Sequence, residues 1–590
     1  MPDEQTKPIQ LSDVYKLWVT NPLTQSWITW QKVLWASSPL SRLVPLDAEE
    51  LWRAFEQLGE DLTARPELLE ERTAELLRRY NELSVWTLSR ALGQPDPEPV
   101  ATDKQDKRFQ DEAWTNNLIF NTLKQSYLIL SNWLVGTANQ ADGLDPQTRQ
   151  RVKFYVRQFV DAISPSNFLL TNPAALHETL NSGGENLRRG LEQMLDDMKQ
   201  GEVSVSGKEH FQIGQNLAIS PGQVIFRNEL VELIQYSPAT EQVYQIPILI
   251  IPPWINKFYI LDLRPGRSLV EYLVQQGHTV FMISWRNPKP AMQNLVMEDY
   301  VRLGPLAAMQ VIKAVTGSEK INLLGHCIGG TLVSVLLAYQ SAVQDATANT
   351  ATFLTSLQDF SDVGETAVFV SREWLAEIEK WVHPKGYIDG VEMNAIFKLM
   401  RDNDLIWNFV VNNYLLGKTP LDFDLLYWSS DGIRMPRAFH SEYLRNCYIE
   451  NNLVKPNRIR MFGQGIDLSC IQTPSYVVAG IEDHIVPWRS AHRTRALFSG
   501  STRLILGSGG HIGTTVNPPS AIKGFYYSND SDTTDSDQWL KTAQRNPGSW
   551  WPDWNKWLDT QSGAKVAPPS LGGTAYPPLA NAPGTYVVEA

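Results

Sequence analysis

The pentad Gly325-His326-Cys327-Ile328-Gly329 follows a short apolar run, Ile321-Asn322-Leu323-Leu324, and precedes a helical stretch from Gly330 to Tyr339. A strand that passes into a helix through Gly-x-Cys-x-Gly has the nucleophile-elbow pattern, with sulfur in place of the usual serine oxygen. The turn leaves no room for side chains two positions either side of its centre, which is the steric reason for glycine at 325 and 329. It also lifts the thiol clear of the sheet, beside the backbone N–H groups that begin the helix. Such a pattern requires a strand running beneath a helix, and therefore an α/β layer architecture.

The rest of the chain agrees with that requirement from about residue 206 onward. Short β-rich runs alternate with helical stretches at 230–236, 246–251, 279–284, 321–324, 351–357, 475–479 and 503–506. The unbroken apolar run Ile246-Pro247-Ile248-Leu249-Ile250-Ile251 suits a strand covered on both faces of a mainly parallel sheet. Residues 1–205 read differently. Apolar residues there recur at helical spacing, as in Leu68, Leu69, Ala74, Leu76, Leu77 and Tyr80. A Pro-rich loop is expected at 94–107, with breaks at 139–146 and 164–173 where Pro, Asn and Ser supply turn chemistry. The expected organisation is a helical N-terminal domain, 1–205, and an α/β domain, 206–562. An aromatic-rich cap is expected to be inserted at about 371–453, with Trp374, Trp381, Trp407, Phe409, Tyr414, Tyr427, Trp428 and Tyr443 among its residues. Residues 563–590, rich in Pro, Gly and Ala, read as an extended tail.

Composition removes several classes of function. Apolar residues make up 43% and charged residues 20% of the 590, enough for a large core. A formal charge of −12 argues against wholesale binding of nucleic acid or of an anionic membrane. Three cysteines, Cys327, Cys447 and Cys470, make neither a disulfide framework nor a Cys-x-x-Cys metal site, and fit a reducing cytoplasm. No run reaches 18 apolar residues and the first ten residues are polar, so neither a membrane span nor a signal peptide is expected. Eight of the 20 tryptophans, at 18, 27, 30, 35, 52, 86, 114 and 133, fall in the first 135 residues. They suit either ordinary helix packing or a sticky apolar surface.

A free cysteine is usually a small buried hydrophobe; only Cys327 has a surrounding pattern that argues otherwise. Little of a free thiol is ionised at neutral pH, so Cys327 needs an adjacent base. His326 adjoins it, but neighbouring side chains on a strand point to opposite faces, which suits packing. His511 follows the run 503–506 through Gly507-Ser508-Gly509-Gly510, a flexible loop at a strand's carboxyl end. Where this elbow occurs, the chain order is nucleophile, acid, histidine. The acid should then follow the strand 475–479, where Gly480-Ile481-Glu482 leads to Asp483, with Glu482 as competing carboxylate and His484 as competing base. His177, His210, His278, His383, His440 and His492 have no such context. A tetrahedral intermediate needs two N–H donors. One is expected at Ile328; the other should come from Pro252-Pro253-Trp254-Ile255-Asn256-Lys257. Proline has no N–H, which leaves Trp254 or beyond, with Ile255 or Asn256 expected and Ile255 placed first.

These residues resemble a known family. Gly325-His326-Cys327-Ile328-Gly329-Gly330 resembles the Cys-containing lipase box of class I polyhydroxyalkanoate synthases. So do 252–257 with Phe258-Tyr259-Ile260-Leu261-Asp262, then 280–288, 482–488, Gly510-His511-Ile512 and Gly548-Ser549-Trp550-Trp551-Pro552. The resemblance covers nearly the whole chain, most loosely at the N-terminal helices. It implies an α/β-hydrolase fold with an inserted cap and a separate helical N-terminal domain, working as a homodimer without metal or redox cofactor. The activity implied is polymerisation of (R)-3-hydroxyacyl-coenzyme A into polyester with release of coenzyme A. In that family pattern Cys327 carries the acyl chain, His511 deprotonates it, and Asp483 orients His511 or helps to activate the incoming hydroxyl. The implied partners are the hydroxyacyl-coenzyme A substrate, the growing polyester chain and granule surface, and granule-associated proteins, at a cytoplasmic location on the granules. Two rivals stay open on sequence alone. A Cys-dependent thioesterase or esterase would share fold and triad, and a non-catalytic scaffold on granules would use only the Trp-rich N-terminus.

Overall fold

The structure is a computed structural model that describes residues 48–589 apart from 95, 104, 105 and 383. Trp18, Trp27, Trp30, Trp35, His383 and the side chain of Trp381 lie outside the described residues. Two compact units are present. One takes the chain through Gly207 together with Ala395–Leu421; the other takes Lys208–Asn394 and Asp422–Ala590.

The first unit is helical: α1 (Ala48–Ala64), α2 (Pro66–Ala91), α3 (Leu118–Asn139), α4 (Pro146–Ala162), α5 (Pro173–Asn181) and α6 (Glu185–Gln200). The expected breaks are caps. The Asn117, Asp145 and Asn172 side chains accept hydrogen bonds from the first-turn amides of α3, α4 and α5, and Pro146 and Pro173 open the last two. Trp86 and Trp114 are buried, and Trp133 donates to the Arg72 carbonyl at 2.6 Å. These tryptophans hold helices together. The Pro-rich loop is packed as well: Glu98 accepts from Lys124, Asn121 and Gln125, all on α3.

Residues 395–421 were expected in the cap, but they belong to this helical unit. Two π-helical turns, Asn403–Trp407 and Val410–Leu415, widen the helix there and carry Trp407 and Tyr414 inward. Gln158 donates to the Leu399 carbonyl at 2.8 Å, Asn186 to the Leu415 carbonyl at 2.7 Å, and the Tyr414 hydroxyl to Asp197 at 2.6 Å. Gly190 on α6 makes this approach possible, because a Cβ there would meet the Tyr414 carbonyl oxygen at 2.0 Å. Sequence separation hid the pairing: neither side of it has a local signature.

The second unit is built on one sheet of eleven strands: β1 (Gly222–Arg227), β2 (Val231–Tyr236), β3 (Ile248–Ile251), β4 (Val280–Trp285), β5 (Ile321–His326), β6 (Ala348–Leu354), β7 (Ser475–Gly480), β8 (Thr502–Gly507), β9 (Phe525–Ser528), β10 (Gln544–Pro547) and β11 (Ala580–Asn581). Their order across the sheet is β10-β9-β8-β7-β6-β5-β3-β4-β2-β1-β11. The six central strands, β4 to β8 through β3, are parallel, and both margins are antiparallel. Alternation along β3 divides the core: Leu249 and Ile251 join one apolar cluster, Ile248 and Ile250 the other. Helix α7 (Ile328–Ala342) covers the first face. Trp550, Trp551 and Trp554 cover the second, and Trp554 donates to Thr352 Oγ1 at 2.9 Å.

Residues 563–589 are extended but not a free tail. Lys565–Val566 pairs with Val243–Tyr244, β11 closes the sheet edge on β1, and Tyr586 and Val587 are buried. Prolines disfavour an α-helix here while permitting an edge strand, and only the short 3-10 turn Tyr586–Val588 forms. Among the described residues, no helix is long and apolar enough to cross a membrane.

Gly190→Ala overpacks the contact with Tyr414 and should destabilise it by roughly 1–3 kcal/mol. Hydrogen exchange should rise across 395–421 while the strands β3 to β8 keep their protection. Unchanged exchange in that segment would refute the close packing.

Candidate active site

Cys327 stands between β5 and α7 with φ 53° and ψ −127°, a region that non-glycine residues rarely occupy. Its N–H donates to the Leu354 carbonyl at 2.8 Å, and its carbonyl accepts from Gly330 at 2.9 Å. Three glycines admit the turn by close approach. A Cβ on Gly325 would meet the Gly330 Cα at 2.4 Å, one on Gly329 the Ile251 oxygen at 2.2 Å, and one on Gly330 the Ser356 hydroxyl at 2.4 Å. The elbow is thus wedged against β3 and the loop 252–257. All three cysteines are free thiols; Cys327 is half-buried, Cys447 buried and Cys470 exposed.

His511 opens the short helix α8 (His511–Thr515), reached from β8 through the turn 507–510. Its Nδ1 lies 2.7 Å from Asp483 Oδ2. Asp483 is buried after β7, and its other oxygen accepts from the Ile485 and Val486 amides at 2.9 and 2.8 Å. Two backbone donors and one imidazole therefore fix the carboxylate. Glu482 is exposed, and its carbonyl side of the loop faces Gly510. Trp550 Nε1 donates to the Thr514 carbonyl at 2.7 Å, which anchors α8 from the other face of the sheet.

Burial alone would push the His511 imidazole down. The Asp483 carboxylate, which is also hydrogen-bonded to the ring, and the Cys327 sulfur outweigh it and hold the pKa well above the usual 6.5. The structure therefore brings the three together: His511 is hydrogen-bonded to Asp483 and within electrostatic reach of the Cys327 sulfur. Because the folded value exceeds the unfolded one, this proton contributes stability that is complete below about pH 6.5 and lost as pH rises through the folded value. His326 behaves oppositely. It is buried, and desolvation followed by repulsion from His511 holds it well below 6.5. Its ring lies 6.0 Å from that of His511, with Nε2 at 3.3 Å from Thr515 Oγ1 and Nδ1 lacking a partner. It packs behind His511 as a neutral ring.

Ile328 is the first residue of α7, whose leading N–H groups have no acceptor within the helix. The loop 252–257 is held at several points. Trp285 Nε1 donates to the Pro252 carbonyl at 2.9 Å, Ile433 N–H to the Ile255 carbonyl at 2.8 Å, and Trp428 Nε1 to the Lys257 carbonyl at 2.7 Å. Trp254 is buried against Phe439 and Tyr443, with ring centroids 4.8 and 5.2 Å away.

Sequence reasoning missed the phenols beside the thiol. Tyr443 and Tyr448 both interact electrostatically with Cys327, and burial pushes both hydroxyls above their ordinary range. The Tyr443 hydroxyl has no hydrogen-bond partner of its own. A π-helical turn, Leu444–Ile449, follows the helix Arg437–Tyr443 and brings the two rings to 5.7 Å. Ordinary helical spacing would not face residues five apart, so no pattern in the sequence could have paired them. Among the described residues there is no cluster of three His, Cys, Asp or Glu side chains arranged for a metal ion.

A parallel sheet with a strained residue at a strand–helix turn, and carboxylate and imidazole on the next strand ends, defines the α/β-hydrolase class. A family model described as "alpha/beta hydrolase fold" matches residues 247–518, and one described as "Poly-beta-hydroxybutyrate polymerase (PhaC) N-terminus" matches 105–273. A poly(3-hydroxyalkanoate) polymerase of Methylorubrum extorquens is 42% identical over 547 residues, covering 92% of this chain and 90% of that one. The PhaC subunit of Cupriavidus necator poly(3-hydroxyalkanoate) polymerase is 42% identical over 82% of this chain and 83% of its own, and that of Rhizobium etli is 38% identical over 92% and 86%. The chain belongs to the poly(3-hydroxyalkanoate) polymerase family and is an acyltransferase.

If His511 and Cys327 share a proton, His511→Gln should slow alkylation of Cys327 by iodoacetamide at pH 7 by about tenfold or more. The modified peptide, followed by mass spectrometry, separates this from the exposed Cys470. Equal rates in the two proteins would break the coupling.

Proposed function

We propose that the chain polymerises (R)-3-hydroxyacyl-coenzyme A into polyester through a thioester on Cys327, releasing coenzyme A. The observation that supports this reading most is the His511–Asp483 hydrogen bond of 2.7 Å at the carboxyl ends of β8 and β7, with the Cys327 sulfur at the end of β5 within electrostatic reach of the same ring. The Cys327 sulfur attacks the acyl carbonyl as its proton passes to His511. Asp483 stabilises the imidazolium, and the elevated pKa of His511 favours that transfer. The oxyanion is received by the Ile328 N–H and by a second N–H of the 252–257 loop, with Ile255 as the assigned donor. Collapse breaks the bond to the coenzyme A sulfur, which leaves with the proton from His511.

Sulfur suits this exchange because one thioester replaces another, so the acyl group stays activated. The 3-hydroxyl of a second unit then attacks the Cys327 thioester, its proton passes to His511, and an ester forms as the Cys327 sulfur departs and is reprotonated. A water molecule in place of that hydroxyl would end the chain. Cys327 packs against an apolar cluster that includes buried Trp254, Phe439 and Tyr443 and half-buried Tyr448, an apolar wall that disfavours water. The same reading assigns a homodimer on the surface of cytoplasmic polyester granules, with the growing chain and granule-associated proteins as partners.

Cys327→Ala should abolish both coenzyme A release and polymer formation from 3-hydroxybutyryl-coenzyme A, and His511→Gln should lower release by about 10²–10⁴-fold. Thiol titration and recovery of insoluble polyester measure the two products. Turnover retained by the alanine variant, or free acid as the main wild-type product, would overturn this reading.

A further inference from the structure

The segment Thr585–Glu589 is distant in sequence from every residue of the site, yet it grips the loop next to Cys327. The Lys257 side chain is buried, and its ammonium donates to the Glu589 carbonyl at 3.1 Å. The Glu589 carboxylate receives both arms of Arg286 at 2.8 and 3.0 Å, the forked geometry that fixes orientation as well as distance. Arg286 also lies over the Tyr586 ring, 4.6 Å from its centroid. Tyr586 in turn is locked: its hydroxyl donates to the Asn228 carbonyl at 2.6 Å, and its amide and that of Thr585 each donate to Glu232 at 2.9 Å.

These contacts join the exits of two neighbouring parallel strands. Lys257 ends the loop that leaves β3, and Arg286 directly follows β4. Glu589 bridges the two. The loop begins with Pro252 and Pro253, which have no N–H to secure it; its far half is held by the Ile433 N–H on the Ile255 carbonyl, the Trp428 indole on the Lys257 carbonyl and, through the Lys257 ammonium, Glu589. Its near end abuts the elbow at Gly329.

We propose that Glu589, with Arg286 and Lys257, is a positioning element for the reaction: it sets the 252–257 loop at the height at which that loop's N–H meets the acyl oxygen on Cys327. The inference rests on the acyl-transfer reading above. Loss of the anchor leaves substrate binding largely intact and weakens a contact made only at the tetrahedral stage, so it lowers kcat and spares KM.

The test compares Glu589→Ala, Arg286→Ala and the double variant with wild type, by initial coenzyme A release from 3-hydroxybutyryl-coenzyme A and by hydrogen exchange of peptides spanning 252–257. Each single variant should lose about tenfold in kcat with KM within twofold, and the double should lose no more than either single, since all three remove one bridge. Exchange over 252–257 should rise in each. Should an alanine variant fail to fold, Glu589→Gln, which keeps one acceptor, should give an intermediate kcat. Wild-type kcat in the variants, additive losses, or a loss carried by KM would overturn the proposal. If wild type itself releases no coenzyme A, the acyl-transfer reading fails instead, and unchanged exchange at 252–257 in Glu589→Ala would separately remove the anchor.

Discussion

Where Gly329 crosses the exit of β3, nothing larger than a hydrogen fits between α7 and the carbonyl oxygens of Ile251 and Pro252. This backbone-to-backbone contact sets the distance between the thiol-bearing turn and the 252–257 loop. It cannot relax by a rotamer change, because neither side is a side chain. The strain at Cys327, with its positive φ, is sustained by the same crowding: the sheet below and the helix above leave the turn no other path. The other polar groups are then placed relative to one fixed sulfur. Asp483 and His511 come from two further strand ends of the same sheet, and α8 is pinned from the opposite face by Trp550.

Much of this was legible because it is local. The elbow needs glycines at fixed offsets, caps need Asn or Asp before Pro, and a strand covered on both faces needs an unbroken apolar run. Each of these leaves a mark within a few residues. Cys327, His511 and Asp483 followed from chain order and from the glycine-rich turn before His511; the geometry joins His511 to Asp483, with Glu482 left in solvent. The seven runs that form β2 to β8 were readable, whereas β1, β9, β10 and β11 were not. Those edge strands are half-polar, and one is flanked by prolines. Long-range packing left no local trace either. The pairing of Gly190 with Tyr414, the docking of 585–589 and the π-turn that faces Tyr443 towards Tyr448 each depend on a partner or a register invisible to periodicity.

The electrostatics of the site are divided between two histidines in neighbouring positions. His511 is charged easily because a carboxylate and a sulfur face it, and His326 is held neutral because it has only burial and a cationic neighbour. One proton therefore has one residence among them. A second cation behind His511 would compete with it for Asp483; the neutral His326 ring instead fills volume and supports the Thr515 hydroxyl, which donates to the His511 carbonyl. Order at His511 is kept by packing on one side and charge on the other.

The course of the chain between the two units has a further consequence. The polypeptide leaves the sheet unit at residue 394, contributes 27 residues, Ala395–Leu421, to the helical unit, and returns at 422. A helical fragment cut at 207 would lack the phenol that donates to Asp197 beside the Ser204 amide and hydroxyl, and the backbone that fills the notch at Gly190. A sheet fragment beginning at 208 would carry a stretch whose buried face has nothing to lie against. Two crossings of the boundary after the first thread the units as a stitch threads cloth, so gene shuffling at a single breakpoint cannot exchange one for a homologous counterpart without a matching change in the other.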